Sequence, residues 1–125
     1  MTALLLDTHV VLWWILASPR LRGSWVEAIT DSGNTVGLSA ASVWEVEIKK
    51  RRGKLEFDHD LLSVASDYGF VTVSISAEDA RRAGSLEWDH RDPFDRMLVA
   101  QSIERRMILV TDDAAVIAAP GVVAL

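Results

Sequence analysis

Acidic residues in four separate segments are the groups of this chain best suited to chemistry. Asp7 directly follows the apolar run Leu4-Leu5-Leu6, and Glu45 ends the stretch Ser39-Ala40-Ala41-Ser42-Val43-Trp44-Glu45. Asp95 lies in His90-Arg91-Asp92-Pro93-Phe94-Asp95-Arg96-Met97, and Asp112 and Asp113 close Ile108-Leu109-Val110-Thr111-Asp112-Asp113. Taken singly, each acid has a structural explanation. Asp92 before Pro93 is a natural N-cap with proline at the first helical position, and Asp95 then faces the positive end of the helix dipole. Ser42 and Glu45 fit the S-x-x-E capping box, and Asp7 and Asp112 are able to cap the helices after them. Taken together they ask for more, because a cap can be neutral and needs no shared location. Carboxylates gathered within several ångströms repel one another unless a cation or protons compensate them. An all-oxygen donor set suits Mg²⁺ or Mn²⁺, which polarise a phosphate oxygen and acidify a bound water, as phosphodiester hydrolysis requires.

What brings these acids together must be the elements between them. Short apolar runs of strand character occur at Ala3–Leu6, Val36–Leu38, Val71–Ile75, Met107–Val110 and Val122–Ala124. Segments of helical spacing lie at Val10–Ala17, Leu21–Thr30, Ser42–Arg52, Asp60–Tyr68, Ala77–Ala83, Phe94–Arg106 and Ala114–Ala118. Strands that are apolar at every residue, alternating with helices, imply a parallel sheet covered on both faces. The expected fold is a three-layer α/β/α sandwich around a five-stranded parallel sheet. Right-handed crossovers put all the carboxyl ends on one edge, where open α/β sheets bind ligands, and all four acidic segments fall there.

Composition narrows the remaining classes. The 125 residues, half of them hydrophobic, suit one domain spanning residues 1–125. The absence of cysteine excludes thiolate metal sites, disulfide scaffolds and cysteine nucleophiles. Eighteen acidic against 13 basic residues give a net charge of −5, so any nucleic-acid contact has to be a local basic patch. The longest apolar run, Val10–Ala17, is too short for a membrane span, and Asp7 interrupts any leader-like stretch, so a cytoplasmic protein is expected.

Leu6-Asp7-Thr8-His9 with Leu12-Trp13-Trp14, then Leu38 to Glu45, then His90 to Gln101, then Leu109 to Asp113, resemble in order the four blocks of the PIN-domain ribonucleases, with the nearest likeness to VapC-type toxins of type II toxin-antitoxin modules. The resemblance runs from Leu4 to about Val116. It implies a Mg²⁺- or Mn²⁺-dependent endoribonuclease that is inhibited by a cognate antitoxin. Carried over by position, its acidic site falls on Asp7, Glu45, Asp95 and Asp113. Asp7, Asp95 and Asp113 then hold metal, and Glu45 binds metal or orients the attacking water. Asp113 is chosen because the family pattern is Thr-x-Asp and Thr111 sets the count. Thr8 and Thr111 match the supporting hydroxyl positions. Asp112 occupies a variable position and is able to assist or replace Asp113, and His9, where many relatives carry asparagine, receives no catalytic role. The implied partners are RNA and the antitoxin, in a homodimer or a toxin-antitoxin hetero-oligomer.

Other features are weighed against this. Lys49, Lys50, Arg51 and Arg52 are either a solvated helix end or a phosphate-contacting patch. Trp13, Trp14, Trp25 and Trp44 are expected to pack, and His59 and His90 to lie at the surface or in turns. A phosphoacceptor receiver domain requires a lysine after the last strands, and none follows Lys54. A haloacid-dehalogenase-type phosphatase requires Asp-x-Asp where Asp7-Thr8-His9 stands, and no G-x-G-x-x-G marks a dinucleotide site. The serious rival is a non-catalytic metal- and protein-binding module.

Overall fold

In the computed structural model, which describes residues 2–125, the first strand shows why the sheet needs cover on both sides. Leu4 and Leu6 of β1 (Ala3–Leu6) enter one apolar cluster and Leu5 enters the other, as the period-two alternation of a strand demands. The first cluster is filled by α1 (Thr8–Ile15), α2 (Gly23–Thr30), α3 (Ala40–Arg51) and α4 (Leu61–Asp67), through Val10, Val11, Trp25, Val46 and Leu61. The second takes Leu98 and Val99 from α6 (Pro93–Glu104) and Val116 from α7 (Ala114–Ile117). With α5 (Ala77–Ser85) beside α6, this is the expected three-layer arrangement.

Among the described residues the sheet has four strands and not the expected five. Its order is β3-β2-β1-β4, every pairing is parallel, and the remaining strands are β2 (Thr35–Ser39), β3 (Val71–Val73) and β4 (Ile108–Val110). The run Val122–Ala124 makes only an isolated bridge from Ala124 to Leu109. The Pro120-Gly121 turn, with Gly121 at φ +84°, occupies the chain as far as Val122, whose N–H bonds the Ala119 carbonyl. Contact with β4 starts only at Val123: the Leu109 N–H donates to the Val123 carbonyl at 2.9 Å, the Leu125 N–H to the Leu109 carbonyl at 3.0 Å and the Thr111 N–H to the Leu125 carbonyl at 3.3 Å. β3 likewise stops two residues short of the expected Ile75, because the Ser74 carbonyl accepts from Gln101 and Arg105. Ser76 then caps α5.

Close approach within the sheet depends on Gly37 in β2. A Cβ there would stand 2.9 Å from Met107 Cε and 3.0 Å from Val73 Cγ2, so a side chain requires the end of Met107 to swing aside and Val73 to give way. Below the sheet edge runs a buried polar chain. Arg105 donates to Asp79 at 2.6 Å, Gln101 donates to Asp79 at 3.3 Å, and Ser39 donates to Gln101 at 2.5 Å while capping α3. Burial raises the Asp79 carboxyl, but Arg105, the Ser76 backbone and Gln101 outweigh it and leave the group at about 2. The chain thereby ties the start of α3, which carries Glu45, to α5 and α6. Among the described residues no helix is long and apolar enough to cross a membrane.

Candidate functional site

The carboxyl ends of β1, β2 and β4 open onto a cavity of about 400 Å³ lined by Asp7, Thr8, His9, Leu12, Glu45, Val46, Lys49, Lys54, Leu55, Asp92, Asp95 and Asp113. Four elements thus deliver the four expected acids to one place. Each is held by its own local structure.

Asp7 leaves β1 with its N–H on the Val110 carbonyl and becomes the N-cap of α1. Its carboxylate is buried, with Oδ1 accepting from the Thr8 N–H and Oδ2 from the Thr111 hydroxyl, both at 2.7 Å. Burial raises this carboxyl above the ordinary aspartate range. His9, Thr111 and Thr8 oppose that rise, and the charge of Glu45 adds to it. Thr111 also accepts from the Asp113 N–H at 3.1 Å, so one hydroxyl fixes both the β1 and the β4 acids. The Thr8 hydroxyl donates to Ser42 at 2.9 Å, pinning α1 to α3.

Asp95 sits in the first turn of α6 behind the Asp92 cap, which accepts from the Phe94 and Asp95 N–H groups. Burial is the largest cause that pushes its carboxyl up to about 6. The hydrogen bond from His90, at 2.7 Å, opposes this, while the charges of Asp92 and Asp7 add to it. His90 is itself positioned by Trp88, stacked at 4.4 Å, and by Arg96. The Arg96 guanidinium donates to the carbonyls of Ala83, Leu86, Trp88 and His90 at 2.7 to 2.9 Å, closing the whole loop between α5 and α6. Neither His90 nor Arg96 was legible as part of the site. The one available signal was the five-residue spacing of His90 and Asp95 across a proline turn.

Several expectations are corrected. The N-cap of α3 is Ser39, not Ser42, so Glu45 lies inside the helix and faces the cavity, with its carboxylate accepting from Lys49 at 2.9 Å. Asp113, not Asp112, caps α7 and lines the cavity. Asp112 turns outward to pair with His9 Nε2 at 2.7 Å. Of the basic run, Lys49 lines the cavity, as does Lys54 at the run's end; Lys50 lies over the Phe57 ring, and Arg51 and Arg52 are exposed. Trp25 is fully buried as expected, but Trp44 is 60% exposed, edge-on to Phe94. His59 is exposed as expected, whereas His90 is engaged with Asp95.

The donor chemistry fits a hard divalent cation. Asp7, Glu45, Asp92, Asp95 and Asp113 offer oxygen, and burial, with like charge added to it, raises the carboxyls of Asp7 and Asp95. Among the described residues, however, no three His, Asp or Glu side chains converge at ligation distance. Each acid is turned instead toward a protein donor: Asp7 to Thr111, Glu45 to Lys49, Asp95 to His90, and Asp113 to the start of α7.

The family model of the PIN domain matches residues 4–121. The curated ribonuclease VapC22 of Mycobacterium tuberculosis (strain ATCC 25618 / H37Rv) is 30% identical over 116 residues, covering 90% of this chain and 88% of that protein. Among solved structures, VapBC2 from Rickettsia felis bound to a DNA fragment from its promoter superposes with a TM-score of 0.72 at 15% identity, covering 99% of this chain and 98% of the other. DNA-bound VapBC from Salmonella typhimurium gives 0.70 at 16% identity, covering 100% and 98%. Those two likenesses establish the shared fold. The extent of the family match, together with the VapC22 relationship, means that this chain belongs to the PIN-domain family, in its VapC-type group.

Proposed function

We propose that the chain, as a single PIN-like domain of residues 1–125, is a Mg²⁺- or Mn²⁺-dependent endoribonuclease and the toxin of a toxin-antitoxin module. The observation that carries this reading is the cavity in which Asp7, Glu45, Asp95 and Asp113 meet from four separate elements, two of them with carboxyls raised by burial and mutual charge. Asp7, Asp95 and Asp113 are the residues to hold the cation, and Glu45 binds it or orients the attacking water. When bound, the cation supplies a Lewis acid for the phosphate oxygen and a water of lowered pKa. The chain's own part is positional. Thr111 and the Thr8 N–H aim Asp7 and oppose the rise that burial causes in its carboxyl, His90 does the same for Asp95, and Leu12, Val46 and Leu55 form the apolar part of the cavity wall. Arg51 and Arg52, exposed at the end of α3, remain candidates for phosphates further along the RNA.

The partner is a cognate antitoxin, in a homodimer or hetero-oligomer in the cytoplasm. An acidic cavity that accepts a metal also accepts an arginine or lysine from such a partner. Incubation of antitoxin-free protein with mixed RNA in Mg²⁺ and in Mn²⁺, with EDTA controls, tests the reading: cleavage lost on chelation and in Asp7→Asn supports it. Metal binding without cleavage would favour the rival, a non-catalytic metal- and protein-binding module. The protein donor already engaged by each acid is the observation on that rival's side.

A further inference from the structure

Among the described lysines and arginines, Lys49 is the one whose charged head lies on a carboxylate of the candidate site. It follows Glu45 by one helical turn, and Nζ stands 2.9 Å from Glu45 Oε2. The Glu45 side chain is 10% exposed and that of Lys49 50% exposed, so a nearly buried carboxylate is compensated by a cation that reaches it from solvent on a flexible stem. Its neighbours do otherwise: Lys50 leans on Phe57 with Glu47 at 3.8 Å, and Arg51 and Arg52 make no ion pair. Lys49 also lies in the field of Asp92 and Asp95 across the cavity, which, with the Glu45 hydrogen bond as the largest cause, raises its own pKa.

Resting on the metal-dependent reading above, we propose that Lys49 is the built-in counter-cation of the metal-free site, and that its pairing with Glu45 opposes loading of a divalent cation. An ammonium at 2.9 Å from Glu45 holds the place and the charge that a divalent ion on the same acids would take. Two cations within one acidic cavity repel each other, so whichever arrives second binds more weakly. The four-carbon stem lets Nζ withdraw without moving α3. Once withdrawn, it remains on the cavity wall, where a substrate phosphate would lie. The proposal accounts for the one acid of the four that is paired with a formal positive charge.

The test is Mn²⁺ binding to the intact protein, followed by loss of the free-ion electron paramagnetic resonance signal, with no RNA and no turnover. Lys49→Met is expected to bind Mn²⁺ roughly three- to tenfold more tightly than the parent, as removal of one partly screened opposing charge implies. Lys49→Arg should stay near the parent and Lys50→Met should be unchanged. A residue that merely supports the helix would lower affinity or leave it alone when removed. Should Lys49→Met fold poorly, Lys49→Gln gives the same comparison. Equal or weaker Mn²⁺ binding by the neutral variants, with parent binding that still depends on Asp7, overturns the Lys49 proposal and leaves the nuclease reading standing. Absence of any Asp7-dependent Mn²⁺ binding in the parent removes both.

Discussion

Asp95→Asn should make the metal-free protein more stable at neutral pH. The Asp95 carboxyl is pushed up from 3.8 to about 6 by burial and by Asp92 and Asp7, and its side chain is only 17% exposed. A folded-state pKa above the unfolded value means that the folded chain keeps its proton longer. The associated stability is therefore full below pH ~4 and falls as pH rises to ~6. A shift of about two units corresponds to roughly 3 kcal/mol that the ionised group costs above that window. Asparagine keeps the size and accepts from His90, but loses the charge-assisted part of that bond, roughly 1–2 kcal/mol. The net gain at pH 7.5 is about 1–2 kcal/mol, and it should shrink toward zero or reverse near pH 4. Urea melts of parent and variant in EDTA across pH 4 to 8 measure it. In excess Mg²⁺ the order should invert, since mass action stabilises whichever form binds the ion. An Asp95→Asn protein less stable than the parent at pH 7.5 in EDTA, or equally stabilised by Mg²⁺, would refute the claim that crowded charge is held at this site for binding.

Asp7→Asn should abolish Mg²⁺-dependent RNA cleavage while leaving the circular dichroism spectrum intact, because the amide carbonyl still accepts from the Thr8 N–H and the amide nitrogen donates to the Thr111 hydroxyl oxygen in place of accepting from it; parental cleavage would remove Asp7 from the site. Arg96→Ala strands four carbonyls of the loop between α5 and α6 and should cost roughly 2–4 kcal/mol in denaturant melts. Arg96→Lys should recover little of this, since one ammonium cannot reproduce the guanidinium fork. If Arg51 and Arg52 contact RNA phosphates, replacing both with alanine should flatten the salt dependence of RNA binding by roughly one unit of log–log slope per contact; an unchanged slope returns them to a solvated helix end.

The parts of this molecule legible in its sequence are those governed by local pattern. The seven helices of the described residues overlap the segments of helical spacing, with Asp92 and Pro93 opening α6 as expected. The acids on one edge follow from parallel topology alone. What local pattern misreads is competition between equivalent groups. Ser39 and Ser42 are both able to cap α3, and Ser39 wins because Gln101, far away in the chain, fixes its hydroxyl, freeing Ser42 for Thr8. Asp112 and Asp113 are adjacent and chemically identical, and only the position of the Thr111 hydroxyl and the start of α7 separates them. The fifth strand is cut short by the turn at Pro120 and Gly121, which occupies the chain as far as Val122 and leaves only Val123 to Leu125 to meet β4. His90 and Arg96 act through a loop with no periodicity to announce it.

Thr111 has one further consequence. Because the same oxygen donates to Asp7 and accepts from the Asp113 N–H, the loops after β1 and β4 share a rivet, and displacement of one strand end drags the other with it. Glu45 and Asp95 are held differently, by a lysine on a flexible stem and by a histidine whose loop Arg96 closes. One pair of acids is thus joined through a single shared oxygen, and the other pair has two separate supports that can be removed one at a time.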